Sequence, residues 1–241
     1  LPALRASSLL VSLSGAAGTS SALGPDAAAT RAALAEGLGL HDPARSWHVD
    51  RGPVLRIADW LAQLTSVLAR MGATLVALTG SELGEITLGV AGASSTMPQK
   101  QNPVGPSALQ ALGHQATGLR AALAPATQHL HQRDGAAWFA EWMVLPQIAL
   151  GAACALQHAK SLATGMTPNT DSMAQTLGGG LGLIHAEALS FTLAGKMHRP
   201  AAQAETKALC RTAQETATEL EVLARTAHPD LPDGLFDAAQ S

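Results

Sequence analysis

Between Val54 and Leu78 the apolar positions Val54, Ile57, Trp60, Leu61, Leu64, Val67, Leu68, Met71, Leu75 and Leu78 advance by threes and fours. Arg56, Asp59, Gln63 and Arg70 fall on another face. That period predicts an amphipathic helix. Pro53 suits its first turn, and at about 1.5 Å per residue such a helix runs to about 40 Å. Pro106 opens a second helical stretch, with Leu109, Leu112, Leu119 and Leu123 interleaved with alanines, and Pro125 ends it. A third stretch, from Trp138 to Ala163, carries Trp142, Leu145, Ile148, Ala149, Ala152, Leu156 and Leu162, with Pro146 expected to kink it near one end. Met166-Thr167-Pro168-Asn169-Thr170-Asp171 then reads as a break followed by a helix N-cap. Beyond it the helices are shorter, bounded by Gly178 to Gly180, Pro200 and Pro229. No strand-like alternation persists and no repeat has a fixed period. The predicted fold is all-α: a long central helical bundle over residues 1–167 and a smaller C-terminal helical domain over 168–241.

Composition agrees with helices and narrows the function classes. Apolar residues make up 47 % of the 241 positions and aromatics 3 %, with no tyrosine, so Ala, Leu, Val, Ile and Met must build the core. A formal charge of -3 and a pI near 6.3 give no basic footprint for nucleic acid. The two cysteines, Cys154 and Cys210, lie far apart in helical contexts and read as buried thiols of a reducing compartment. Arg5 and the apolar run from Leu9 to Leu13 mimic a secretory signal, but Ser12 and Ser14 interrupt it. A start inside a helix of a longer protein explains this and the leading Leu better. No run approaches the roughly 20 uninterrupted apolar residues of a spanning helix, so no membrane association is expected.

The chemistry concentrates in Gly92-Ala93-Ser94-Ser95-Thr96-Met97-Pro98-Gln99-Lys100-Gln101-Asn102-Pro103. Two prolines here, with Gly89 and Gly92, stop any helix running in from Glu85, so this is a loop. It brings together two hydroxyls, an ammonium and a carboxamide, groups suited to taking up a proton and holding a developing anion. Three other segments stand out. Ser14-Gly15-Ala16-Ala17-Gly18-Thr19 reads equally as a carboxylate-binding segment, with Thr19 as donor, or as a tight helix–helix crossing. His131-Gln132-Arg133-Asp134 lies between two helices and reads as an anion site. Trp47-His48 reads as a substrate-positioning pair or as a packed loop anchor. No HxxxH pair is present, and His129 and His131 would face different ways, so no catalytic metal is expected. There is no phosphate loop after a strand and no GxSxG elbow.

From Ser94 to Pro103 the loop matches every fixed position of SSxMPxKxNP, and the chain thereby resembles the fumarase/aspartase superfamily. SLSGAAGTSSALG, SWHVDR, SELGEI, WFAEWMVLP and GLGLIHAEALSFTLA are similar to segments of one branch, the bacterial 3-carboxy-cis,cis-muconate cycloisomerases. Trp138, Glu141 and Trp142 stand where adenylosuccinate lyases carry phosphate-binding residues. The resemblance implies closure of 3-carboxy-cis,cis-muconate to a lactone in the protocatechuate branch of the β-ketoadipate pathway, in the cytoplasm and without a cofactor. It implies Ser95 as acid/base on a mobile loop, Lys100 and Asn102 orienting carboxylates, and Ser94, Met97, Thr19, His48, His131 and Arg133 binding substrate. It further implies a homotetramer whose sites are shared between subunits. Arg133, Lys100, His48 and Thr19 are expected to converge on one small polycarboxylate, with Trp47 and Trp138 against its conjugated plane. The family's N-terminal domain is missing before Leu1, so a truncated chain that has lost catalysis is the competing expectation, and an adenylosuccinate lyase-like elimination the other.

Overall fold

The computed structural model describes residues 1–89, 92–93, 101–132 and 134–237. Its helices are α1 (Pro2–Ser8), α2 (Ala27–Leu38), α3 (Gly52–Leu78), α4 (Val104–Leu123), α5 (Gly135–Gly165), α6 (Thr170–Gly178), α7 (Ala186–Ala194), α8 (Arg199–Thr216) and α9 (Leu220–Ala227). The strands are two residues each: β1 (Ile86–Thr87), β2 (Gly92–Ala93), β3 (Gln101–Asn102) and β4 (Thr167–Pro168). The fold class is all-α. The chain divides into one unit of Leu1–Ala77 with Leu88–Met166, and a second of Leu78–Thr87 with Thr167–Ser241.

In the first unit α3, α4 and α5 pack side by side with alternating direction. Asp59 near the start of α3 reaches Arg120 near the end of α4 at 2.6 Å, and Gly105 at the start of α4 faces Leu162 at the end of α5. Asp134 caps α5, its carboxylate accepting from the Ala136 and Ala137 amides, and the helix continues through Pro146. Buried positions on α5 recur as Ala137, Glu141, Val144, Ile148, Ala152, Ala155, Ala159 and Leu162, the stripe a 3.6-residue period gives. Ala58, Leu123, Ala126, Val144 and Ile148 form a core cluster at one end of the three helices.

The face of α3 that packs inside the chain differs from the one its large apolar residues mark. Buried are Pro53, Ala58, Ala62, Thr65, Gly72 and Leu75, whereas Trp60 and Val67 are 40 % and 56 % exposed. Of the stripe read from the sequence, Leu75 alone is buried. Small residues prevail because they let backbones approach: a Cβ on Gly72 would collide with the Pro106 carbonyl oxygen, and one on Gly113 would stand 2.5 Å from the Ala69 Cβ. By length and mean hydropathy (1.4 and 1.5), α3 and α5 are long and apolar enough to cross a bilayer, although neither is an uninterrupted apolar run.

No helix runs in from Glu85. α3 ends at Leu78, Gly84 takes a positive φ of 59°, and β1 follows. In the second unit β1 pairs antiparallel with β4, and Asn169 caps α6 through the Ser172 amide while its amide group donates to the Gly84 carbonyl. Leu189, Leu193, Ala202, Leu220, Ala224, Leu231 and Leu235 form this unit's core.

Gly72→Ala is expected to destabilise the protein by about 1–3 kcal/mol, although alanine is the better helix former, because the backbone of α4 occupies the space. Gly37→Ala on α2, where an added Cβ meets nothing within 4 Å, is expected to stabilise by about 0.5–1 kcal/mol. Chemical denaturation of the two variants measures both signs.

Candidate active site

Two sets of candidate residues lie at opposite ends of the three-helix bundle. At one end β2 and β3 pair antiparallel as the two arms of a hairpin, Gly92 with Asn102 and Ala93 with Gln101. Asn102 is half-buried at the base, two residues before α4. Ser94, Ser95, Met97 and Lys100 lie outside the described residues. This end also holds the close approach of Gly89 to Gly165 at the end of α5.

At the other end three loops meet. Ser14 to Thr19 is a coil rather than a helix crossing: Gly15 and Gly18 have φ of +69° and +75°, where a side chain is strained, and the Ser20 amide donates to the Ser14 carbonyl at 2.9 Å. A Cβ on Gly18 would fall 2.9 Å from Ser46 Oγ and 3.5 Å from Gln132 Oε1. Glycine there lets the three loops touch. Thr19 is exposed, its hydroxyl 3.1 Å from that of Ser21. His131 is exposed with φ of 59°, and Arg133 lies outside the described residues. Asp134 ties this segment to α5. The Leu130 amide first, then those of Ala137 and Ala136, hold its carboxyl below the ordinary carboxylate range.

Beside these loops Ser12, His48, Arg51, Trp138, Glu141 and Trp142 line a cavity of about 180 Å³. The His48 ring packs on Trp138 at 5.3 Å between centroids, and Trp138 on Trp142 at 5.8 Å. Trp47 plays the anchoring part: its indole N–H donates to the Val11 carbonyl at 2.8 Å, and the Arg51 guanidinium lies 5.2 Å from its ring centroid. The aromatic wall is therefore Trp138 with Trp142, and not Trp47 with Trp138. Arg51 and Glu141, missed as a pair in the sequence, form two hydrogen bonds, Nε to Oε2 at 2.7 Å and Nη2 to Oε1 at 2.6 Å. Glu141 could have signalled this, since it falls on the buried stripe of α5, where a carboxylate requires a partner. Among the described residues no group of three or more His, Cys, Asp or Glu is placed to hold a metal.

Asn102 therefore does not converge with His48 and Thr19 within one chain. α4 alone has twenty residues, about 30 Å of helix, between the hairpin and the loops that follow it.

The model of a family described as lyase matches residues 1–118. Over 223 residues the chain is 38 % identical to the 3-carboxy-cis,cis-muconate cycloisomerase of Pseudomonas aeruginosa, which covers 91 % of this chain and 49 % of that protein. The chain belongs to the fumarase/aspartase lyase superfamily. Its fold is that of the superfamily's solved members: the 3-carboxy-cis,cis-muconate lactonizing enzyme of Pseudomonas putida superposes with a TM-score of 0.81 at 31 % identity, over 99 % of this chain and 52 % of that one. The cycloisomerase of Acinetobacter calcoaceticus gives 0.85 at 26 % identity, over 99 % and 55 %. This superfamily chain spans about half the length of the relatives it matches.

Asp134→Ala is expected to lower the melting temperature at neutral pH. A carboxyl whose folded pKa is depressed stabilises above its unfolded value, near 4, and that contribution is lost as pH falls through the folded value. The gap between variant and parent should therefore close on acidification, as thermal melts from pH 7 to 2 would record.

Proposed function

We propose that the protein carrying this chain closes 3-carboxy-cis,cis-muconate to 4-carboxymuconolactone. The observation that carries the reading is the cavity by His48. Its walls are flat aromatic rings suited to a conjugated diene, and its one acidic group, Glu141, is already neutralised by Arg51. The similarity to the cycloisomerases supports the same branch. In the reaction a substrate carboxylate oxygen adds to the conjugated system, forming a C–O bond, while a proton is delivered to carbon. No atom is gained or lost. Ser95 is the acid/base, and its alkoxide form needs amide donors or the Lys100 ammonium close by, since a free serine is far too weak an acid near neutrality. Lys100 and Asn102 orient carboxylates, and Ser94, Met97, Thr19, His48, His131 and Arg133 bind substrate.

Two half-sites separated by the length of α4 become one site only when another copy brings its hairpin to the loops of the first. The surface supports such packing: Phe139, Trp142, Met143, Leu150 and Leu156 of α5 are 47–71 % exposed, a large apolar row for a lone subunit. We therefore assign a homotetramer with shared sites, residues from 168 onward as a separate C-terminal domain, a cytoplasmic location and no metal or nucleotide requirement.

The protein should bleach the ultraviolet absorbance of 3-carboxy-cis,cis-muconate without added metal or nucleotide, and equally after chelator treatment. Efficient cleavage of adenylosuccinate with an unchanged muconate spectrum would overturn the branch. Ser95→Ala should lower turnover at least about a thousandfold, as loss of a positioned acid/base does, with little change in melting temperature; near-normal turnover defeats that role. Sedimentation should give a tetramer that survives dilution, against a folded monomer if the packing is wrong.

A further inference from the structure

The charged pair in the cavity wall is built so that neither member is open to a ligand. The side chains of Arg51 and Glu141 are 14 % and 11 % exposed, and both carboxylate oxygens are taken by the guanidinium. The remaining Arg51 nitrogen, Nη1, faces the His48 carbonyl at 3.5 Å, and the guanidinium carbon lies 5.2 Å from the Trp47 ring centroid. Arg51 is thus held by Glu141 and in turn holds the loop that carries His48 against Trp138. An arginine meant to grip a substrate carboxylate would present its fork to the cavity. Here the fork is turned onto Glu141.

A buried carboxylate without a partner is costly, and in a cavity of about 180 Å³ it would also repel an anionic ligand. We infer that Arg51 is a specificity-determining residue, acting through Glu141: by neutralising that carboxylate it makes the cavity compatible with a polycarboxylate, while its contacts position His48. This rests on the reading that the cavity receives a carboxylate-bearing substrate. The two members of the pair then have opposite effects on anion binding. Removing Arg51 exposes a negative charge to the ligand, and removing Glu141 exposes a positive one. At an effective dielectric of about 20, a unit charge roughly 5 Å away changes affinity by more than tenfold. A pair with a purely structural role would weaken binding whichever member is removed.

The test titrates the protein with tricarballylate, a saturated tricarboxylate, and follows tryptophan fluorescence. Arg51→Met should bind at least about tenfold more weakly, Glu141→Gln more tightly, and the double variant Arg51→Met/Glu141→Gln should recover most of the loss. Should Arg51→Met fail to fold, Glu141→Gln and the double variant decide, because replacing both members of a buried pair by uncharged residues is often tolerated where removing one is not. Weaker binding in Glu141→Gln, or a double variant about tenfold weaker than the parent, would overturn the inference and leave the pair structural. If the parent protein gives no saturable response, the carboxylate reading of the cavity fails first, and the inference with it.

Discussion

A helix rises about 1.5 Å per residue and does not bend on itself, and that rigidity decides where this protein's chemistry is placed. The twenty residues of α4 hold the Gly92–Asn102 hairpin away from the loops around His48 and Gln132. α3 and α5 run the same distance beside it, fixed by Asp59 to Arg120 at one point and by Gly105 against Leu162 at another. No adjustment of loops at either end can close a gap of about 30 Å. The same rigidity makes each end well defined. Arg51, immediately before α3, and Glu141, in the second turn of α5, are ninety residues apart in sequence, yet they meet because the two helices start together.

Small residues set how closely the helices pack, and the consequence reaches the surface. With Gly72 and Gly113 at the crossing of α3 and α4, the core of the first unit is thin. The large apolar residues, Trp60 and Val67 on α3 and Met143 and Leu150 on α5, are left outward. Such faces are stable in water only when something covers them. In the proposed tetramer a second copy covers them and supplies the other half-site in the same step.

The long helices were legible from the three-and-four spacing of apolar residues, and the break at Met166 to Asp171 from its proline and capping residue, since Asn169 does cap α6. Which face of α3 packs inside was not legible, because periodicity marks hydrophobic residues and the chain's own core uses glycine, alanine and threonine. The Ser14 to Thr19 run was ambiguous for a related reason: glycine permits both a close helix crossing and a left-handed turn, and the positive φ values at Gly15 and Gly18 select the turn. Trp47 could be read as a substrate-positioning residue or as a loop anchor, and only tertiary structure shows that its indole donates to Val11 while Trp142 stands beside Trp138. The Arg51–Glu141 pair spans ninety residues and has no local spacing to betray it, although a carboxylate on the apolar stripe of α5 was a usable sign.

Completion of the site by a second copy is the point on which the functional reading turns. In the proposed shared site Ser95 and His48 come from different copies, so a Ser95→Ala subunit and a His48→Ala subunit damage different halves. The direct measurement is to dissociate the two inactive variants, mix them, reassemble, and assay lactone formation. Mixed oligomers should regain a clear fraction of the parent activity, because some sites draw both halves from undamaged ends. Activity that stays at the level of the separate variants, in oligomers shown to contain both chains, would contradict a shared site.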